Sequence, residues 1–123
     1  MLGNYDLMAF SQTTQPERAK AFYGTVLGLK LEEDSPPALV FRSGHTILRV
    51  QKVSGFSPLP FTSLGWNVPN IEVVVQGLSK SGVIFERYEG IEQDDLGVWA
   101  SPTGARVCWF KDPDGNTLSV TQF

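Results

Sequence analysis

Asp112-Pro113-Asp114-Gly115-Asn116, set between two runs of strand-forming residues, is the segment that most narrows the folds open to this chain. Pro113 presets φ for the first central turn position, Gly115 accepts positive φ, and the flanking Asp and Asn side chains bond back to nearby backbone. A tight hairpin follows from that chemistry. Ala105–Phe110 precedes it and is rich in strand formers. Thr117–Phe123 follows it and alternates with period two, placing Leu118 and Val120 on one face and Thr117, Ser119 and Thr121 on the other.

Upstream, Asn4–Ser11 reads as a first strand, with Tyr5, Leu7 and Ala9 on one face and Asp6, Met8 and Phe10 on the other. The period then changes. Thr14-Gln-Pro-Glu17 has the form of a capping box, and Ala19, Phe22, Tyr23, Val26 and Leu27 follow at helical spacing until Gly28, which suits a left-handed C-terminal cap. Leu29–Glu33, Ala38–Arg42 and Thr46–Lys52 read as short strands separated by Pro36-Pro37 and Ser43-Gly44. Ser54–Pro60, with its prolines, glycine and serines, reads as a linker between a first module, 1–53, and a second, 61–123, of one domain.

The second half repeats the order of the first. Phe61–Val68 reads as a strand, and Asn70 can cap a helix carrying Ile71, Val74, Val75 and Leu78 that ends at Gly82. The β-branched run Ile71–Val75 would also suit a strand, but Val83–Tyr88 follows Gly82 as Leu29 follows Gly28, and that parallel favours the helix. Val83–Tyr88 and the two strands around the Asp-Pro-Asp-Gly turn then complete a βαβββ unit. The departure from the repeat is the long acidic segment between Tyr88 and Gly104, which carries Trp99 and reads as a solvated loop or, through Trp99, as a lid.

At 123 residues the chain suffices for one sizeable core. Its net charge of −3 and lack of a basic stripe exclude the usual nucleic-acid binder. No apolar run reaches the roughly 20 residues that a membrane-spanning helix needs, and the N-terminal residues do not read as a signal peptide. A single cysteine, Cys108, allows no intrachain disulfide and fits a cytoplasmic protein.

Two βαβββ units in tandem, Phe22-Tyr23-x-x-Val-Leu-Gly-Leu29, and Phe110-x-Asp-Pro-Asp-Gly-Asn-x-Leu118 together resemble the vicinal oxygen chelate superfamily of glyoxalases, bleomycin-resistance proteins and extradiol dioxygenases. The resemblance runs over essentially the whole chain. It implies an α+β fold of two βαβββ modules whose curved mixed sheets surround a concave pocket, within one chain or across a homodimer. It also implies where a divalent metal would be held. Those four positions fall on Met8, Arg49, Ser63 and Ser119 in this sequence, and none is a usual ligand. Slips of two residues along each strand bring in Asp6 and Gln51 at best, and the only histidine, His45, sits at a turn. The expectation is a pocket with no metal and no other cofactor.

Strand alternation gives that pocket Met8, Phe10, Arg49, Ser63, Gly65, Asn67, Thr117 and Ser119, an apolar wall with a few directed polar groups. Arg49 could fork onto a carboxylate or phosphate, or pair with an acidic neighbour at the surface. Trp99 could stack on a planar ligand or plug the core. The expected ligand-binding residues are Met8, Phe10, Arg49, Ser63, Asn67, Trp99 and Ser119, for an aromatic or anionic small molecule. Three functions remain open from the residues: a metal-free binding protein; an enzyme, either with atypical metal ligands or with Asp6 or Glu86 as base; or an association module whose pocket is filled by Met8, Phe10 and Trp99. Cys108, among aromatic neighbours and far from a histidine, reads as a core residue rather than a nucleophile.

Overall fold

Period-two sequence is realised as eight strands and helical period as two helices, in a computed structural model that describes residues 1–123. The chain divides into two compact units, Met1–Ser57 and Pro58–Phe123. Each unit holds a four-stranded mixed sheet, and the molecule is an α+β fold without a closed barrel.

In the first unit β1 (Met8–Thr13), β2 (Lys30–Asp34), β3 (Ala38–Ser43) and β4 (Thr46–Lys52) lie in the order β1-β4-β3-β2, with β1 parallel to β4 and the other pairs antiparallel. The first strand begins later than the sequence suggests: Leu2–Asn4 is a short 3-10 turn and Asp6 is exposed before β1. Burial alternates along β1, where Ser11 and Thr13 are buried and Met8, Phe10 and Gln12 are exposed. In β4, Leu48 and Val50 point into the core and Arg49 to the opposite face.

Helix α1 (Pro16–Ala21) has Gln15 as its N-cap, one residue later than the capping box expected at Thr14, and the Gln15 side chain makes no capping bond. The Thr13 hydroxyl instead accepts the Gln15 amide at 3.0 Å. The helix continues through a wider π-turn at Phe22–Val26 and stops at Gly28, φ +79°, as foreseen. That turn seats Tyr23, fully buried, against Phe41 of β3 with ring centroids 5.8 Å apart. The outer strand β2 carries Glu32, Glu33 and Asp34, charges that discourage pairing with another edge. Lys20 and Lys52 both reach Asp34, at 3.1 and 2.6 Å, and hold its carboxyl below the usual range.

In the second unit the order is β5-β8-β7-β6, from β5 (Thr62–Asn67), β6 (Trp99–Ala100), β7 (Arg106–Lys111) and β8 (Thr117–Gln122). Helix α2 (Ile71–Lys80) is capped as the sequence indicates, the Asn70 side chain accepting the Val73 amide at 3.2 Å. It ends with the Gly82 amide on the Ser79 carbonyl and the Val83 amide on the Leu78 carbonyl, both 3.0 Å. Ile71 and Val75 on α2, Cys108 and Phe110 on β7, and Leu118 and Val120 on β8 form this unit's buried core.

One expected strand is absent. Val83–Tyr88 contributes only a bridge between Phe85 and Phe110, plus the Glu86 amide on the Trp109 carbonyl at 2.8 Å. The remaining edge of β7 is taken by β6, so that Trp99 lies on a short strand rather than in the loop. The edge that one strand covers in the first unit is shared here by two short segments. Between them the chain folds back on itself, and its internal hydrogen bonds replace the missing ladder.

Candidate functional site

In each unit the sheet face opposite the core carries the residues singled out above. Phe10 and Arg49 are Cα partners across β1 and β4, and Met8 lies two residues along on the same face. Met8 is 52% and Phe10 57% exposed, so neither side chain fills a cavity. The ion pairs of the molecule engage Lys20, Arg42, Lys52 and Arg106; Arg49 is in none of them. A half-buried guanidinium beside exposed apolar side chains retains its full capacity for a forked bond to an oxyanion.

The second unit places Gly65 opposite Ser119, and Asn67 opposite Thr121, across β5 and β8. Simple alternation would put Ser63 in the same row. It is instead the extra residue where the register shifts between Thr62 and Leu64, and its hydroxyl donates to the Thr117 carbonyl at 3.3 Å. Ser119 is buried, 8% exposed, and a Cβ at position 65 would lie 2.7 Å from its Oγ. A side chain at position 65 would force that hydroxyl to move.

Trp99 is the one aromatic residue of this face that the sequence reading selected, and it does not stand alone. Trp109, opposite Ser119 on β7, lies 6.0 Å from Trp99 between ring centroids, tilted by 33°. Tyr88 meets Trp109 edge-on at 5.5 Å. Burial, and then the nearby Glu86 charge, push the Tyr88 hydroxyl's pKa up. Neither Trp109 nor Tyr88 stands out in the sequence as a pocket residue, although strand alternation puts Trp109 on the face opposite its buried neighbours Cys108 and Phe110.

The other candidates disperse. Asp6 and His45 of the first unit are exposed, and Glu86 of the second is half-buried. No three of the His, Cys, Asp and Glu side chains converge as metal ligands. At the four positions expected for a metal, a thioether, a guanidinium and two hydroxyls do not fit a hard divalent cation. A shallow hollow of about 390 Å³ is lined by Glu92, Gln93, Asp94, Val98, Ala100 and Arg106, but Arg106 is already tied to Glu72 at 2.8 Å and lies 3.8 Å from Asp94.

Cys108 is fully buried, and burial pushes its thiol up to about 11 from 9.0. The folded state therefore holds the thiol proton more tightly than the unfolded chain does. Its contribution to stability is intact below pH 9.0 and falls away as pH climbs towards about 11. A thiol reagent at pH 8 is expected to label Cys108 only after denaturant is added; labelling of the native protein at the rate of a free thiol would contradict this burial.

The sequence from 8 to 120 matches the family described as the Glyoxalase/Bleomycin resistance protein/Dioxygenase superfamily. Among solved structures, the chain is similar to lactoylglutathione lyase from Agrobacterium tumefaciens, with 15% identity and a TM-score of 0.75 over 96% of this chain and 92% of that one. A superfamily member from Sphaerobacter thermophilus DSM 20745 shares 23% identity with a TM-score of 0.73, covering 97% of each chain. A glyoxalase family protein from Enterococcus faecalis shares 21% identity with a TM-score of 0.71, over 98% of this chain and 99% of that one. At these identities the likeness is one of fold. No functionally curated protein matches the sequence.

Proposed function

The chain belongs to the glyoxalase/bleomycin resistance protein/dioxygenase superfamily, and on that premise we propose that it binds a small aromatic or anionic molecule without a resident catalytic metal. Arg49 carries the reading: a half-buried guanidinium on an open sheet face, outside every ion pair, beside Phe10 and Met8. A guanidinium held there without a carboxylate partner suits an oxyanion, while the adjacent apolar side chains suit a hydrocarbon or aromatic body. Within the second unit by itself, Asn67, Trp99 and Ser119 on its open sheet face, with Ser63 at the neighbouring bulge, are proposed ligand contacts. The donor chemistry at the four ligand positions supports binding rather than metal-assisted turnover.

The reading extends to the cytoplasm, which the lone, reduced Cys108 suits. No helix is long and apolar enough to cross a membrane. It also extends to one functional domain built from both modules, and to a homodimer. Exposed Leu2, Tyr5, Leu7, Met8 and Phe10 on and before the edge strand β1 support self-association. Sedimentation that finds only single chains at micromolar concentration would remove the dimer.

Calorimetric titration with naphthalene-2-carboxylate and with its neutral carboxamide tests the role of Arg49. The carboxylate is expected to bind more tightly, and Arg49→Ala to weaken it about tenfold while leaving the carboxamide unchanged, the loss of one charge-assisted contact. Equal affinities in wild type and variant would remove Arg49 from the site. Turnover of an added substrate that stops with chelator would replace the binding reading with a metal enzyme.

A further inference from the structure

The segment between Tyr88 and Val98 is organised by one side chain. The Gln93 amide nitrogen donates to the Glu86 carbonyl at 2.9 Å and to the Gly97 carbonyl at 2.8 Å, while its amide oxygen accepts the Tyr88 backbone N–H at 2.8 Å. Its own backbone bridges Trp99. Gln93 thus ties together the two strands of chain that end in Tyr88 and Trp99, the residues flanking Trp109.

The surrounding contacts reinforce the same closure. The Arg87 guanidinium donates to the carbonyls of Gln93 and Asp95, at 3.4 and 3.0 Å. One Asp94 carboxylate oxygen accepts the Leu96 and Val98 amides, both at 2.9 Å. Gly97, φ +87°, is buried, and a Cβ there would meet Phe85 Cβ at 3.2 Å. The loop has one tight path from Tyr88 to Trp99, and the donors and acceptor of the Gln93 amide fix its width.

We propose that Gln93 is the positioning residue of an aromatic wall formed by Tyr88, Trp109 and Trp99, and that this wall receives a flat aromatic ring. The second half rests on the small-molecule reading; the first does not. An amide suits the task because it supplies two donors and an acceptor from one planar group. A carboxylate of the same size offers acceptors only and would face two carbonyl oxygens. The Trp pair, tilted by 33°, offers aromatic rings of the kind that aromatic ligands stack against.

Near-ultraviolet circular dichroism of the whole protein decides the positioning, because the tryptophan bands depend on the mutual orientation of Trp99 and Trp109. Trp99→Phe and Trp109→Phe assign the signal of the pair. Gln93→Ala is expected to lose at least about half of that signal with the far-ultraviolet spectrum unchanged. Gln93→Glu is expected to lose as much at pH 7, and to regain part of it below about pH 4, where a protonated carboxyl supplies one donor; wild type at the same pH is the reference. An unchanged pair signal in Gln93→Ala overturns the proposal. Should that variant unfold, a Gln93→Glu signal equal to wild type at pH 7 overturns it equally.

Quenching of tryptophan fluorescence by naphthalene-2-carboxamide decides the second half. Wild type is expected to bind about tenfold more tightly than Gln93→Ala. Binding that is equal in both overturns the role of Gln93 towards a ligand. A wild-type protein that this probe does not quench sinks the ring-binding reading of the wall while the dichroism result stands by itself.

Discussion

Phe41→Ala is expected to unfold with about 4 kcal/mol less free energy than wild type, a large share of the whole stability of a small domain. Phe41 has no exposed surface, and its ring meets that of Tyr23, also fully buried. Tyr23 in turn stands edge-on to Phe22 at 5.2 Å. A Cβ on Gly24 would lie 3.7 Å from the Phe41 ring, so the backbone of the π-turn passes directly over it. Truncation leaves a cavity between a sheet and a widened helix end whose hydrogen bonds resist collapse, including that of the Leu29 amide to the Tyr23 carbonyl at 3.0 Å. Phe10→Ala removes the same atoms from the open face, where Phe10 is 57% exposed, and is expected to shift stability by no more than about 0.5 kcal/mol. Urea unfolding of the two variants compares them directly. Equal losses would mean that the two faces of this sheet have been assigned wrongly.

The turn between β7 and β8 sets the second large effect. Asp112 is buried, and one carboxylate oxygen accepts the Asp114 amide at 3.0 Å and the Asn116 amide at 2.9 Å, while the other accepts the Asn116 side-chain amide at 2.8 Å. Asp112→Ala leaves three donors without that acceptor. Asn116 is itself buried, so water cannot replace the carboxylate at two of them. A loss of about 3 kcal/mol follows from the cost of unsatisfied buried donors. Asp112→Asn keeps one acceptor oxygen and is expected to lose roughly half as much. Gly115, φ +89°, closes the turn with its amide on the Asp112 carbonyl at 3.0 Å. An Asp112→Ala midpoint within error of wild type at unchanged denaturant slope would show that the turn forms without its carboxylate.

Much of this was legible because its causes are local. Pro113 and Gly115 dictate the turn, Asn70 and Gly82 bracket α2, and Gly28 ends α1 through the left-handed conformation that other residues enter at a cost. Strand faces followed from alternation, which put Met8, Phe10 and Arg49 together. Failures arose where a local preference met a competitor. Thr14 has the chemistry of a helix cap, yet the helix begins after Gln15. Val83–Tyr88 has the composition of a strand, yet the hydrogen bonds of Gln93 and Arg87 turn the chain away from β7 after a single bridge.

Family membership and the poor metal-ligand chemistry of Met8, Arg49, Ser63 and Ser119 were contained in residue types and their order, since a donor atom's hardness belongs to the side chain wherever it is placed. The company each side chain keeps was not. Whether Arg49 finds a carboxylate, whether Ser63 stays in register, and which rings stand beside Trp99 depend on strand pairing and chain closure between distant residues. Periodicity can assign a side chain to a face; only the folded backbone brings that face its neighbours.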